Sequence, residues 1–173
     1  MAPLIDIRRA SVRYDADHAL RDITISVQPG ERIALVGRSG AGKSTMLRLL
    51  FERCGVESAL VPQDLGLVNT LSVFHNVYMA ALKHHGGFYN LINLFVPMRK
   101  EVRAIMPVLE RLQLKDKIFE PVGQLSGVQR QRTSVARALH QGSQIVMADE
   151  PVSSVDEHQS RRGLDALVST HET

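Results

Sequence analysis

The chain has 173 residues, 44% of them hydrophobic, and 21 Lys and Arg stand against 18 Asp and Glu, a formal net charge of +3. That balance excludes intrinsic disorder, and the single cysteine, Cys54, excludes an internal disulfide framework and a multi-cysteine zinc site. No run is long and apolar enough to span a bilayer, and Asp6 breaks the only apolar run at the N-terminus, so neither a membrane helix nor a signal peptide is expected.

Residues 4–14 and 18–27 read as strands, the second with Ile23, Ile25 and Val27 alternating against Thr24 and Ser26. Pro29-Gly30 is a turn, and Arg32-Ile33-Ala34-Leu35-Val36 has the near-continuous apolar pattern of a buried parallel strand. A glycine-rich loop over 37–42 leads into a helix predicted from Lys43 to Arg53. Ala59-Leu60-Val61 is a short strand stopped by Pro62. Helical spacing returns over 71–82, 83–97 reads as a loop, and Val102, Ile105, Leu109 and Leu112 share one face of a further helix. Pro107 lies inside that helix and predicts a kink or a break. Helices are predicted at 128–141 and 157–168, with a buried strand at Ile145-Val146-Met147-Ala148 between them. Strands alternating with helices imply an α/β fold with a parallel sheet, interrupted by a helical insertion at about 65–124.

The chemistry starts at Gly37-Arg38-Ser39-Gly40-Ala41-Gly42-Lys43-Ser44-Thr45, which matches G-x-x-x-x-G-K-[ST] between a predicted strand and a predicted helix. Glycines let the backbone wrap a phosphate without Cβ clashes, and loop amides at a helix N-terminus stabilise negative charge. Lys43 can reach the β- and γ-phosphates, and Ser44 can offer its hydroxyl to Mg²⁺. The strand 145–148 ends in Asp149-Glu150, at the sheet edge where α/β proteins bind ligands. Asp149 is placed to hold Mg²⁺, and Glu150 to activate a water for attack on the γ-phosphate.

Together these motifs resemble the ATP-binding cassette (ABC) ATPases. Leu125-Ser126-Gly127-Val128-Gln129-Arg130-Gln131-Arg132 resembles the ABC signature, with Val128 where the family has a second glycine. Val128 keeps the amide but adds bulk and loses the backbone freedom of glycine. The resemblance implies a P-loop NTPase fold: a RecA-like parallel sheet core, an antiparallel β edge and a helical ABC-specific subdomain. It implies one ABC ATPase domain, with 1–64 and 125–173 as the nucleotide-binding core and 65–124 as the helical subdomain. It also implies roles for individual residues. Tyr14 matches the aromatic that stacks on adenine, the alternative being a strand tyrosine facing the core. Gln63 matches the Q-loop glutamine that senses Mg²⁺ and the γ-phosphate. Ser126, Gly127 and Gln129 would meet ATP bound on the opposing subunit of a head-to-tail homodimer. Ser153-Ser154-Val155-Asp156 resembles the D-loop. Twenty positions separate Lys43 from Gln63, fewer than is usual in the family. No strand pattern follows the D-loop, so His171 is not assigned as the family's switch histidine, and a shortened C-terminus is expected.

The run 67–77 and the stretch 109–117 resemble phosphonate-type importer cassettes. The implied protein is an ATP-hydrolysing motor, peripheral on the inner face of the cell membrane. It would drive a separate permease fed by a solute-binding protein, with ATP and Mg²⁺ as cofactors and no nucleic acid partner. The alternatives are an ABC-type ATPase acting on nucleic acid or ribosomes, which steep salt dependence would reveal, and a degenerate cassette that binds ATP without turnover. Elsewhere the plainer readings are preferred. The charged segment 83–120, with seven bases and four acids, reads as a solvated face. So do Arg130, Arg132 and Arg137. His84-His85 reads as a solvated loop without metal-ligand partners, and Cys54 as an unreactive thiol.

Overall fold

The protein is seen here as a computed structural model, which describes residues 2–14, 17–55 and 58–149, without the side chains of Tyr14, Asp17 and His18. Glu150, the D-loop residues, the expected helix at 157–168 and His171 lie outside the described residues, as does the surrounding of the Tyr14 ring. The chain divides into two compact units, Met1–Ser58 and Ala59–Thr173.

In the first unit β1 (Ile5–Tyr14) and β2 (Asp17–Val27) pair as an antiparallel hairpin, close to the two expected strands. The register slips between Ile7 and Ala10, where Arg9 and Asp22 both take positive φ. Side-chain hydroxyls replace the lost ladder partners there: Thr24 accepts from the Arg9 amide and Ser11 from the Asp22 amide. Helix α1 (Lys43–Cys54) packs on this hairpin, burying Met46, Leu49 and Leu50. The expected strand at 32–36 does not form. Among the described residues the sheets are β1–β2 and a second pair made by β3 (Ser58–Val61) and β4 (Ile145–Ala148). Without a ladder beside it 32–36 has no regular secondary structure, with Ile33 48% and Val36 93% exposed. An apolar run makes a strand possible, but hydrogen-bonded neighbours make it a strand.

The second unit has the larger core. Phe74 and Val77 of α2 (Val73–Tyr78), Ile105 and Leu109 of α4 (Arg99–Arg111), and Val135 and Ala136 of α5 (Gly127–His140) cluster with Val61, Leu114 and Val122. Helix α2 is held at its start by 118–123. The carbonyls of Glu120 and Ile118 accept from the first amides of α2, those of Val73 and Phe74. Leu71 and Asn69 accept from Val122 and Gly123 in return. The orphan amides of a helix start thus find backbone partners. Asn76 is fully buried and closes the preceding loop: its Oδ1 accepts from the Val68 amide at 2.8 Å, and its Nδ2 faces the carbonyls of Val68, Leu71 and Ser72 at 3.0–3.2 Å.

Two expectations for the insertion are corrected. The stretch 83–97 is not a loop: a 3₁₀ turn over Met79–His84 is followed by α3 (Gly87–Phe95). Asn90 bridges the two, donating to the carbonyls of Leu82 and His85 and accepting from the Tyr78 hydroxyl. Pro107 does not break α4, which runs through it with Ile105 and Leu109 buried on either side.

His85 also departs from the solvated reading, although His84 is exposed. Its ring stacks on Tyr89 with centroids 4.5 Å apart, and its Nε2 lies 3.6 Å from the buried Glu101 carboxylate, which accepts from the Tyr89 hydroxyl. No group of three or more His, Cys, Asp or Glu among the described residues is arranged to hold a metal ion. In the charged segment Lys83, Arg99, Lys100, Arg103, Arg111 and Lys115 are exposed, as the solvated reading requires, but Glu101 departs from it and is buried.

Replacing Asn76 by Ala empties a fully buried site and frees the Val68 amide, and is expected to lower unfolding free energy by about 1–3 kcal/mol, read from the urea midpoint. His140, at the end of α5, provides a pH test. Desolvation holds its pKa below the ordinary value, with the Glu101 charge opposing and His84 reinforcing. The unfolded chain therefore protonates first as pH falls below about 6.5, and stability is lost from there down through the lowered folded pKa. Urea titrations at pH 7.5 and at pH 5.5 will show a smaller acid loss in His140→Gln than in the parent.

Candidate functional site

The glycine-rich loop lies wholly in the first unit. Gly42 caps α1 in the left-handed region, at φ 85° and ψ 12°, and Gly40 is left-handed as well, at φ 79°. A Cβ on Gly42 would fall 2.9 Å from the Ala19 carbonyl oxygen and 3.1 Å from Leu20 Cδ2. Glycine is therefore needed there twice over, for its backbone angle and for its lack of bulk. Lys43 turns back over the loop and donates to the carbonyls of Gly37 and Arg38, both at 3.0 Å. The Ala41 amide closes a turn onto Arg38 at 3.1 Å. The first turn of α1 holds no acidic residue, and no side chain caps it. The helix start thus offers backbone amides and the positive end of its dipole, beside a lysine ammonium, to an anion. Ser39 is exposed on the loop, Ser44 is exposed on the first turn, and Thr45 is half-buried beside it. The Ser44 hydroxyl is a hard oxygen donor of the kind Mg²⁺ takes.

Gln63, Asp149 and the signature-like residues lie in the second unit. Asp149 follows β4 directly, and its amide donates to the Val61 carbonyl at 3.0 Å. Val61 ends β3, two residues before Gln63, so Asp149 and Gln63 leave paired strands at the same edge. Gln63 sits inside a tight turn closed by the Leu65 amide on the Pro62 carbonyl at 2.9 Å. Leu65 and Gly66 then take successive left-handed conformations, φ 63° and 54°. A leucine there costs about 1–2 kcal/mol of backbone strain, so other contacts must hold it.

Those contacts come from α5. Ser134 Oγ donates to the Leu65 carbonyl at 2.9 Å, Arg137 Nη2 to the same oxygen at 2.9 Å, and Arg137 Nη1 to the Gly66 carbonyl at 2.6 Å. Arg137 is thus not part of a solvated face. Burial pulls its pKa below the usual arginine range, with the Asp64 charge opposing. Arg130 and Arg132 are half-buried too, and Arg132 donates to Gln113 Oε1 at 3.1 Å. Helical periodicity places all three arginines on α5, but nothing local distinguishes the one that meets the loop some seventy residues upstream.

At the start of α5 Ser126 and Gln129 form a reciprocal capping box. The Gln129 amide donates to Ser126 Oγ at 3.3 Å, and the Ser126 amide to Gln129 Oε1 at 3.0 Å. Gly127 opens the helix with free space where a Cβ would stand, and Val128 beside it is half-buried. The signature-like residues thus present a well-formed, accessible helix start.

A family model described as "ABC transporter" matches residues 20–58 and 51–153. The phosphonates import ATP-binding protein PhnC of Rhizobium etli is 31% identical, over 98% of this chain and 68% of that protein. The homologous PhnC 1 of Cupriavidus metallidurans is 32% identical over 100% of this chain and 71% of its own length. PhnC of Lactobacillus gasseri is 32% identical over 98% and 74% respectively. Among solved structures, an inward-facing putative metal-chelate type ABC transporter matches with a TM-score of 0.82 at 24% identity, over 100% of this chain and 70% of that one. A dimeric ATP-binding cassette bound to ADP and Pi in a post-hydrolysis state matches with a TM-score of 0.76 at 20% identity, over 95% and 81%. The structural matches identify the fold as that of the P-loop cassettes.

Gly42→Ala meets both a left-handed backbone and the Ala19 carbonyl, and is expected to cost about 2–4 kcal/mol in unfolding free energy. Gly127→Ala, at an open position, will change the midpoint by less than a quarter of that in the same denaturant series.

Proposed function

The chain belongs to the ABC transporter family of ATP-binding cassettes, and from that premise we propose that it is the ATP-hydrolysing motor of an importer. The cargo is a phosphonate or related anion, and the path is a separate permease supplied by a solute-binding protein. The observation that carries the ATPase reading is the loop geometry: a left-handed Gly42 packed against Ala19, with the Lys43 ammonium folded over the loop carbonyls. The cargo assignment is supported by relatives named for phosphonate import.

In this reading the amides of Gly37, Arg38, Ser39, Gly40, Ala41 and Gly42 and the first turn of α1 wrap the phosphates. Lys43 leaves the Gly37 and Arg38 carbonyls for the β- and γ-phosphate oxygens. Thr45 helps orient the α1 start, and Tyr14 stacks on the adenine. Ser44, Asp149 and Gln63 are the oxygen donors that would hold Mg²⁺, which would supply positive charge to the phosphates. Glu150 orients a water in line with the γ-phosphate and accepts its proton. Ser126, Gly127 and Gln129 meet the γ-phosphate bound on a second copy, so that ATP closes a head-to-tail homodimer and hydrolysis reopens it. No helix among the described residues is long and apolar enough to cross a membrane. As the motor of a separate permease, the chain would work as a peripheral subunit at the inner face of the membrane.

Mg-ATP turnover by the protein and by Glu150→Gln tests this directly. The substitution is expected to lower kcat by about 10²–10⁴-fold while ATP binding persists. Equal turnover in the two proteins would remove Glu150 from the mechanism. Phosphonate uptake that survives deletion of the gene would remove the cargo assignment.

A further inference from the structure

The turn that carries Gln63 is fixed on both sides. Upstream, the Val61 carbonyl accepts from the Asp149 amide at 3.0 Å. Downstream, the backbone of Leu65 is engaged at both polar ends: its amide closes the turn on Pro62, and its carbonyl accepts from Ser134 and Arg137. The Gly66 carbonyl takes the second arm of the same guanidinium at 2.6 Å. A planar guanidinium can address two successive carbonyls at once, which a lysine ammonium on a flexible stem cannot do with the same fixed spacing. Ser134 and Arg137 are three residues apart and so share one face of α5. Space at the contact is small, since a Cβ on Gly66 would stand 3.2 Å from Arg137 Nη2. The opposite end of α5 is the Ser126–Gln129 capping box.

We propose that Ser134 and Arg137 are positioning residues for Gln63, clamping the turn that carries it to α5. The inference rests on the ATPase reading above for its catalytic consequence, but not for the clamp itself.

The experiment uses the full chain and the variants Arg137→Lys, Ser134→Ala, Gln63→Ala and Arg137→Lys/Gln63→Ala. Circular dichroism first establishes that each folds. Arg137→Lys is expected to bind a fluorescent ATP analogue within about twofold of the parent, to lose about tenfold in kcat, and to need more Mg²⁺ for half-maximal rate, as a displaced catalytic contact would produce. Ser134→Ala should show a smaller loss of the same kind, and it carries the test if Arg137→Lys does not fold. If the clamp acts through Gln63, the double variant is no slower than Gln63→Ala alone. An unchanged kcat and Mg²⁺ dependence in Arg137→Lys, or losses that multiply in the double variant, would overturn the proposal. Amide hydrogen exchange separates the two levels. Faster exchange at residues 63–67 in Arg137→Lys, with α2 unaffected, supports the clamp even if the parent hydrolyses no ATP, the outcome in which the ATPase reading fails instead. Unchanged exchange at those residues overturns the clamp whatever the turnover.

Discussion

Loop carbonyls in this protein draw side-chain donors, some in addition to a backbone amide and some in place of one. Asn76 directs its amide at the carbonyls of Val68, Leu71 and Ser72 from inside the core. Ser134 and Arg137 do the same for Leu65 and Gly66, Asn90 for Leu82 and His85, and Lys43 for Gly37 and Arg38. A net hydrogen bond is worth about 0.5–1.5 kcal/mol, so each set of contacts favours one loop conformation over its competitors. The helices carry the apolar contacts, but these polar side chains decide where the functional loops lie.

The contacts differ in what they leave free. Asn76 is sealed in the core between α2 and the segment before it, and its bonds serve the fold alone. Lys43 bonds the carbonyls of its own loop from a half-exposed position, and an arriving anion can draw its ammonium away. Arg137 stands between these cases. It is half-buried, its charge faces two carbonyl oxygens, and the loop it holds carries a residue proposed to touch the nucleotide. The same chemistry thus gives a structural lock, a ligand-responsive contact and a mechanical link, according to burial and to what lies next along the chain.

Much of this was legible in the sequence, for reasons that vary by residue. The phosphate loop could be read because its requirements are local: consecutive glycines, then lysine and serine at a helix start. The helix beginning after Ser126 could be read as well, but the reciprocal Ser126–Gln129 capping box appeared only in the structure. Helix α3 was missed although Phe88, Leu91, Ile92 and Phe95 have helical spacing. The adjacent His-His-Gly-Gly suggested a loop, and the apolar face is largely exposed. The strand at 32–36 was expected from apolar residues that meet no ladder. His85 seemed partnerless because Glu101 is brought to it by the packing of α3 and α4, not by proximity in the chain.

The sequence by itself determined the family, the order of the motifs and the kind of chemistry, because glycine conformations, helix caps and phosphate-binding residues are set by neighbours a few positions away. Tertiary structure alone decided that Asn76 is a core lock and that Pro107 is absorbed within a packed helix. It also decided that one arginine of three on α5 holds the Gln63 turn. The first two outcomes depend on burial, which packing decides, and the last on donors and carbonyls some seventy residues apart, a distance that no local pattern encodes.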